Sequence, residues 1–153
     1  MIFWSAYTIF LRLQRTALEP VVGGLVRVMN KVHAGRGVDI TVALPDAPLF
    51  FAGEAQDLQE MLGNLLDNAC KWAASRVQLQ ISVADGRYCL WVDDDGPGIA
   101  VAQRDAVLER GTRLDEQVAG HGLGLGVVRD SVEAWGGSLQ LQDSPLGGLR
   151  VAI

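Results

Sequence analysis

From Gly96 to Gly124 the chain carries six glycines (Gly96, Gly98, Gly111, Gly120, Gly122 and Gly124) and a single short helical pattern, Val101 to Leu108. A loop of that length inside a small domain is uncommon and usually serves as a lid or a binding loop. The chain has 153 residues, which predicts about one domain. The regular elements on both sides of the loop must then close into a single core that carries the loop at its rim. With 49% hydrophobic and 20% charged residues, the composition is that of such a core and not of a disordered segment.

The flanking segments read as alternating helices and strands. A helical pattern begins at Glu19-Pro20, with proline where a helix start tolerates it. Val22, Leu25, Met29 and Val32 recur at spacings of three and four, which predicts one buried stripe, and Gly35-Arg36-Gly37 ends it. Val38 to Leu44 alternates with period two, a half-buried strand. Pro45 and Pro48 bracket a turn, and Leu49 to Ala52 reads as a short strand. Asp57 to Ala73 carries the strongest helical pattern. Val77, Leu79, Ile81 and Val83 then alternate, Asp85-Gly86 turns the chain, and Tyr88 to Val92 returns as a second strand. Beyond the loop, a helix from Leu123 to Trp135 closes at Gly136-Gly137, where a left-handed cap is easiest. Two last strands, Ser138 to Asp143 and Leu149 to Ile153, flank a Pro145/Gly147-Gly148 turn. This order predicts an α+β fold, a two-layer α/β sandwich with helices on one face of the sheet.

Several function classes drop out on charge and cysteine content. A net charge of −5, from 13 basic and 18 acidic residues, argues against a general nucleic-acid binder. Cys70 and Cys89 form no metal-ligand spacing and no disulfide framework. The apolar run Ile2 to Leu11 is shorter than the ~20 residues that span a bilayer and lacks the flanks of a secretory signal. Residues 1–17 are taken as an unassigned N-terminal remnant and residues 18–153 as the domain.

On the Asp57–Ala73 helix, at ~100° per residue, Leu58, Met61, Leu62, Leu65 and Ala69 fall on one side and should pack on the sheet. Glu60, Asn64, Asp67, Asn68 and Lys71 fall on the other. Charges alone would describe a solvated face. Two asparagines at i and i+4 in mid-helix do not, because asparagine is a poor helix former. Amide oxygens suit magnesium, which keeps waters and phosphates in its shell, and a lysine complements phosphate charge. Asp93-Asp94-Asp95-Gly96-Pro97-Gly98 follows a strand, so a ligand can approach the backbone beside an accepting carboxylate, although three acids also suit an ordinary turn. Gly120-His121-Gly122-Leu123-Gly124-Leu125 opens a helix, where backbone N–H groups and the helix dipole favour phosphate. The spacing matches neither a Rossmann turn nor a Walker A loop.

Taken in order, the run Glu60 through Asn64-Leu65-Leu66-Asp67-Asn68-Ala69-Cys70-Lys71, Asp95-Gly96-Pro97-Gly98-Ile99, Glu109-Arg110-Gly111-Thr112-Arg113, Gly120 to Leu125 and Gly147-Gly148 resembles the catalytic ATP-binding domain of sensor histidine kinases. That domain belongs to the superfamily shared with DNA gyrase, Hsp90 and MutL, and the likeness is strongest to the PhoQ type. It covers about Leu18 to Ile153. It implies a Bergerat-type sandwich with a mixed, mostly antiparallel sheet, about three helices on one face and a long ATP lid. It also implies ATP and Mg2+ as cofactors. By the same resemblance, Asn68 would ligate magnesium, Asn64 and Lys71 would lie near the phosphates, and Arg110 would contact the γ-phosphate from the lid. Asn64, Lys71 and Arg110 would be the catalytic set. Trp72 would stack on the nucleotide, with a core tryptophan as the competing role, and Asp95 would accept the adenine amino group. Gly96, Gly98, Ile99, Gly120, Gly122, Leu123, Gly124 and Leu125 would shape the pocket and the phosphate loop. The chain departs from the family at Leu108, where phenylalanine is usual, and His121 reads as a spacer.

The chain holds only two histidines, His33 and His121, and neither has the pattern of a phosphoacceptor. The expected function is therefore the ATP-binding half of a protein-histidine kinase, transferring the γ-phosphate to a histidine on a separate dimerisation domain, with a response regulator downstream. No nucleic-acid partner and no membrane span in this chain are expected. The domain would be cytoplasmic, in a full-length protein of the bacterial inner membrane. The alternatives are a gyrase- or MutL-like ATPase, with Glu60 as general base, and an anti-sigma-like nucleotide-binding module. Gly98–Gly120 is expected to be mobile without nucleotide and ordered with it.

Overall fold

The computed structural model describes residues 15–109 and 123–153. In chain order the elements are β1 (Thr16–Ala17), α1 (Leu18–Val32), a 3₁₀ turn (Ala34–Arg36), β2 (Asp39–Ala43), β3 (Phe50–Phe51), α2 (Ala55–Trp72), β4 (Arg76–Ala84), β5 (Arg87–Asp94), α3 (Val101–Glu109), α4 (Leu123–Ala134), β6 (Gln140–Asp143) and β7 (Leu149–Ala152). Five strands form one mixed sheet in the order β2-β4-β5-β7-β6; β2 and β4 run parallel and every other pairing is antiparallel. The fold is α+β, as the order of patterns predicts, and four helices are described.

The sheet is one-sided because its strands alternate. Val77, Leu79 and Ile81 of β4, Leu90 and Val92 of β5, Leu141 of β6, and Leu149 and Val151 of β7 are all buried. Their neighbours Gln78, Gln80 and Trp91 point the other way and keep contact with solvent. Against the apolar face lies α2, with Leu58, Met61, Leu62, Leu65 and Ala69 buried as its periodicity predicts. Leu62 and Leu66 are fully enclosed.

Two features differ from the sequence pattern. Val32 is 64% exposed, because the stripe on α1 begins one turn earlier, at Leu18, and runs through Val22 to Met29. Thr16 and Ala17 pair with Phe51 and Phe50 in a small antiparallel ladder, so the described fold begins before Leu18. Two residues carry no periodicity. The helix ends follow their glycines: Gly37 (φ +65°) closes the 3₁₀ turn and Gly136 (φ +84°) caps α4 in the left-handed region. Among the described residues no helix is long and apolar enough to cross a membrane.

Candidate functional site

The C-terminal half of α2, the segment after β5 and the start of α4 enclose a cavity of about 210 Å³. Its walls include Asn68 and Trp72 from α2, Asp94 from the end of β5, Gly98 and Ile99 beyond it, and Leu125 from α4. One buried carboxylate thus stands in a mostly apolar, concave site. That combination marks a candidate ligand pocket.

Asp94 is 3% exposed. Its Oδ1 accepts the backbone N–H of Gly96 at 2.9 Å and that of Leu149 at 3.2 Å. Burial pushes its carboxyl above the ordinary carboxylate range, further helped by Asp95 and Asp93, and the two N–H donors oppose that push. Both donors meet the same oxygen, Oδ1, and the residue lines the cavity. A buried acid held at a cost in solvation is characteristic of a binding or catalytic site.

Two glycines make this packing possible. A Cβ on Gly148 would collide with Oδ1 of Asp94 and come within 2.6 Å of its carbonyl oxygen and of the Gly96 nitrogen. A Cβ on Gly96 would collide with the Trp72 carbonyl oxygen. These glycines serve close backbone approach at the pocket floor. Arg104 of α3 secures the opposite wall: it donates to the Ile99 carbonyl at 3.0 Å and to Asp143 Oδ1 at 2.6 Å. No sequence motif marks Arg104.

Asp95, expected to face the base, does not reach the cavity. Its carboxylate accepts the N–H of Ser75 at 2.9 Å, the Ser75 hydroxyl at 2.6 Å and the N–H of Arg76 at 2.9 Å, and so fastens the α2–β4 turn. Burial pushes its pKa up, but the donors of Ser75, Arg76 and Ala74 together outweigh that push and hold the carboxyl well below the ordinary range. The physical reason is strand parity. Leu90, Val92 and Asp94 share the inner face of β5, so the next residue turns outward. Counting back from the apolar positions of that strand would have singled out Asp94.

Of the other expected residues, Asn68, Trp72, Gly98, Ile99 and Leu125 line the cavity together. Asn68 falls on the polar side of α2, opposite the core stripe, yet is 7% exposed, because α4 and the Pro97–Ile99 segment close over that half of the helix. Asn64, one turn earlier, lines a separate cleft of about 50 Å³ between α2 and α4, beside Glu60. Lys71 stands outside the cavity wall, with Nζ 3.1 Å from Asp67 Oδ2. Leu108 is packed into the core and its neighbour Val107 reaches the cavity. Leu123 and Gly124 lie in the first turn of α4. Arg110, Gly120, His121, Gly122 and the second half of the expected lid, residues 110–120, lie outside the described residues. Among the described residues no cluster of three or more His, Cys, Asp or Glu could cage a metal. A cation here would rest on amide oxygen and on the ligand's own oxygens, the manner in which magnesium is commonly held.

Comparison with known proteins gives the same direction. Residues 53–153 match the family described as Histidine kinase-, DNA gyrase B-, and HSP90-like ATPase. The chain is 68% identical over 100 residues to the sensor protein kinase CarS of Pseudomonas aeruginosa, covering 65% of this chain and 22% of that protein. It is 37% identical over 136 residues to the virulence sensor histidine kinase PhoQ of Salmonella typhimurium, covering 89% of this chain and 28% of that one. The chain therefore spans about a quarter of the length of these relatives. Among solved structures it superimposes on the mycobacterial sensor histidine kinase MprB with a TM-score of 0.74 and 27% identity, covering 91% of this chain and 93% of that chain.

Proposed function

The chain belongs to the histidine kinase-, DNA gyrase B- and HSP90-like ATPase family, and from that premise we propose that it is the ATP-binding catalytic domain of a PhoQ-like two-component sensor histidine kinase. The observation that carries the reading is Asp94, a buried carboxylate on the floor of an apolar cavity. Its Oδ2 would accept the exocyclic amino group of adenine. Guanine would present a carbonyl oxygen there, leaving two acceptors opposed and unpaired. The role that the family resemblance gave to Asp95 thus passes to Asp94. Trp72 would lie against the base, and Leu125 and Ile99 would close the apolar walls.

The phosphates would extend from this cavity along the polar flank of α2. Asn68 would supply the amide oxygen for magnesium, with Asn64 one turn away, and the ion would contribute neutralisation of charge on the transferring phosphoryl group. Lys71, three residues from Asn68 on the same face, would meet the phosphates as a point charge. Arg110 and the backbone N–H groups of Gly120, Gly122 and Gly124 would complete that end. Positioning and charge complementarity then account for the chemistry, since phosphoryl transfer asks for little covalent help.

The acceptor would be a histidine on the dimerisation domain of the same kinase, and a response regulator would take the phosphate from it. His33 is a poor acceptor: its ring is 10% exposed and its Nε2 is engaged by Asp67 at 2.8 Å. The domain would work in the cytoplasm as part of a protein anchored in the bacterial inner membrane. The test is incubation with labelled Mg-ATP, alone and with a separately supplied dimerisation-histidine domain. Label should appear on the added domain and be negligible on this chain. Acid-labile phosphate on His33 or His121, or equal affinity for ATP and GTP, would overturn the reading.

A further inference from the structure

The turn between α1 and β2 reaches across to the end of α2 that carries the nucleotide-facing residues. His33, the cap residue of α1, places Nε2 2.8 Å from Asp67 Oδ1. Lys71 Nζ lies 3.1 Å from the other oxygen of the same carboxylate. Three residues beyond His33, Arg36 donates to the Ala73 carbonyl at 2.8 Å, so the turn is docked on α2 at two points. The His33 side chain is 10% exposed, whereas that of Lys71 is 48% exposed. A packed ring therefore fixes one oxygen of Asp67, and the second oxygen is aimed at a lysine that stands in solvent.

An exposed ion pair between two flexible side chains gains little, because both must be ordered to form it. Fixing one partner in advance removes part of that cost. The carboxyl of Asp67 tends upward through burial, but its bonds to His33 and Lys71 hold it below the ordinary carboxylate range, so it accepts on both sides. Nε2 can donate from either the neutral Nε2–H tautomer or the imidazolium, so the contact does not depend on His33 being charged.

We infer that His33 is a positioning residue for the phosphate end of the site: through Asp67 it holds the Lys71 ammonium on the flank of α2 beside Asn68. The inference rests on the reading of Lys71 as a phosphate contact and extends it to a residue that no motif includes. It also gives the α1–β2 turn a part in nucleotide affinity, at a distance from the cavity wall.

The test is a double-mutant cycle on the full chain. Dissociation constants for Mg-ATP are measured for the unmodified protein, His33→Phe, Lys71→Met and the double variant, with the thermal midpoint of each without nucleotide. His33→Phe should weaken Mg-ATP binding roughly two- to fivefold, the scale of an exposed ion pair. In the Lys71→Met background it should have no further effect. His33→Gln, whose amide can still donate to Asp67, should recover most of the loss. Equal losses from His33→Phe with and without Lys71 would mean a purely structural role and overturn the inference. So would a loss of Mg-ATP affinity in Lys71→Met while His33→Phe, in the otherwise unmodified protein, changes nothing. A Lys71→Met protein that binds Mg-ATP normally would overturn the phosphate reading of Lys71 and this inference with it. Should His33→Phe fail to fold, Asp67→Asn carries the same cycle, with the same expected dependence on Lys71.

Discussion

At the end of the cleft proposed to hold the base, the contacts that fix Asp94 come from backbone: the N–H groups of Gly96 and Leu149. Gly148 passes so close that its missing side chain is part of the design. At the phosphate end, Asn64 and Lys71 stand on the exposed flank of α2, and the anchor of Lys71 is another side chain, Asp67. Arg110, Gly120 and Gly122, expected there, lie outside the described residues. Backbone donors on a sheet cannot turn away, so the base end is set before any ligand arrives. Side chains in solvent have their geometry set only by pairing, and pairing can be exchanged for phosphate oxygen. The contrast suggests that base identity is read by the rigid end and that phosphate charge is gathered by the adjustable one.

The largest effect should fall on both ends together. Leu65 is 1% exposed in the core of α2, the helix that carries residues of both ends. Leu65→Ala should cost about 2–5 kcal/mol of stability as a core truncation. Thermal or urea unfolding measures it, and nucleotide affinity at a temperature where the variant is folded should fall at neither end selectively. A variant that loses Mg-ATP affinity while keeping its thermal midpoint would show that α2 is not the common support of the two ends.

Next comes the base end alone. Asparagine at position 94 can still accept from Gly96 and Leu149 through its oxygen, but turns an amide donor toward the adenine amino group. Asp94→Asn should therefore weaken Mg-ATP binding by about 1.5–3 kcal/mol, the range for hydrogen bonds to charged groups. Its thermal midpoint without nucleotide should hold or rise, because the variant no longer buries a charge. Asp95→Asn should do the reverse, with lower stability and near-normal affinity. If Asp95→Asn is the variant that loses ATP, the division between the adjacent acids is wrong.

A smaller effect should mark the phosphate end. Asn68→Ala should remove most of the magnesium dependence of ATP binding, a loss on the order of 1 kcal/mol when measured as affinity with and without the metal. Because Asn68 is buried, some loss of stability accompanies it, more than a solvated residue would give. Unchanged magnesium dependence would place the cation on other residues.

How far these ends were legible in the sequence follows from what each depends on. The sheet face was readable from Val77, Leu79 and Ile81, because period-two alternation and burial on one side are the same fact. The α2 core was readable for the same reason at period 3.6. The choice between Asp94 and Asp95 was also present in the parity of Leu90 and Val92, but the glycine motif drew attention to the acid nearest Gly96. Neither the burial of Asn68 nor the exposure of Val32 could be read locally. Each depends on which segment packs over a helix end, and such contacts join residues far apart in the chain. His33 and Arg104 were invisible for a related reason: each acts on a residue more than thirty positions away.

The smallest effect separates the two acids by pH, and its sign differs between them. Burial pushes the Asp95 carboxyl up, but the Ser75, Arg76 and Ala74 donors together outweigh that push and hold the carboxyl below the ordinary carboxylate range. A carboxyl lowered in the folded state gives stability that is present above its unfolded value, near pH ~4, and is lost as the pH falls toward the folded value. Asp94 is raised, chiefly by burial. Its folded form keeps the proton longer, so it costs stability above the unfolded value, and acid relieves that cost. Solvent screens the Asp95 contribution, and the Gly96 and Leu149 donors offset part of the burial of Asp94, so both effects stay small beside the loss of a core leucine. Thermal midpoints of the nucleotide-free chain between about pH 5 and pH 3 should fall less steeply for Asp95→Asn than for the unmodified protein. For Asp94→Asn they should fall more steeply, because the compensating group is gone. Equal slopes for the two variants would mean that the neighbouring acids sit in equivalent surroundings, and the contrast between a rigid base end and its outward-facing neighbour would have to be abandoned.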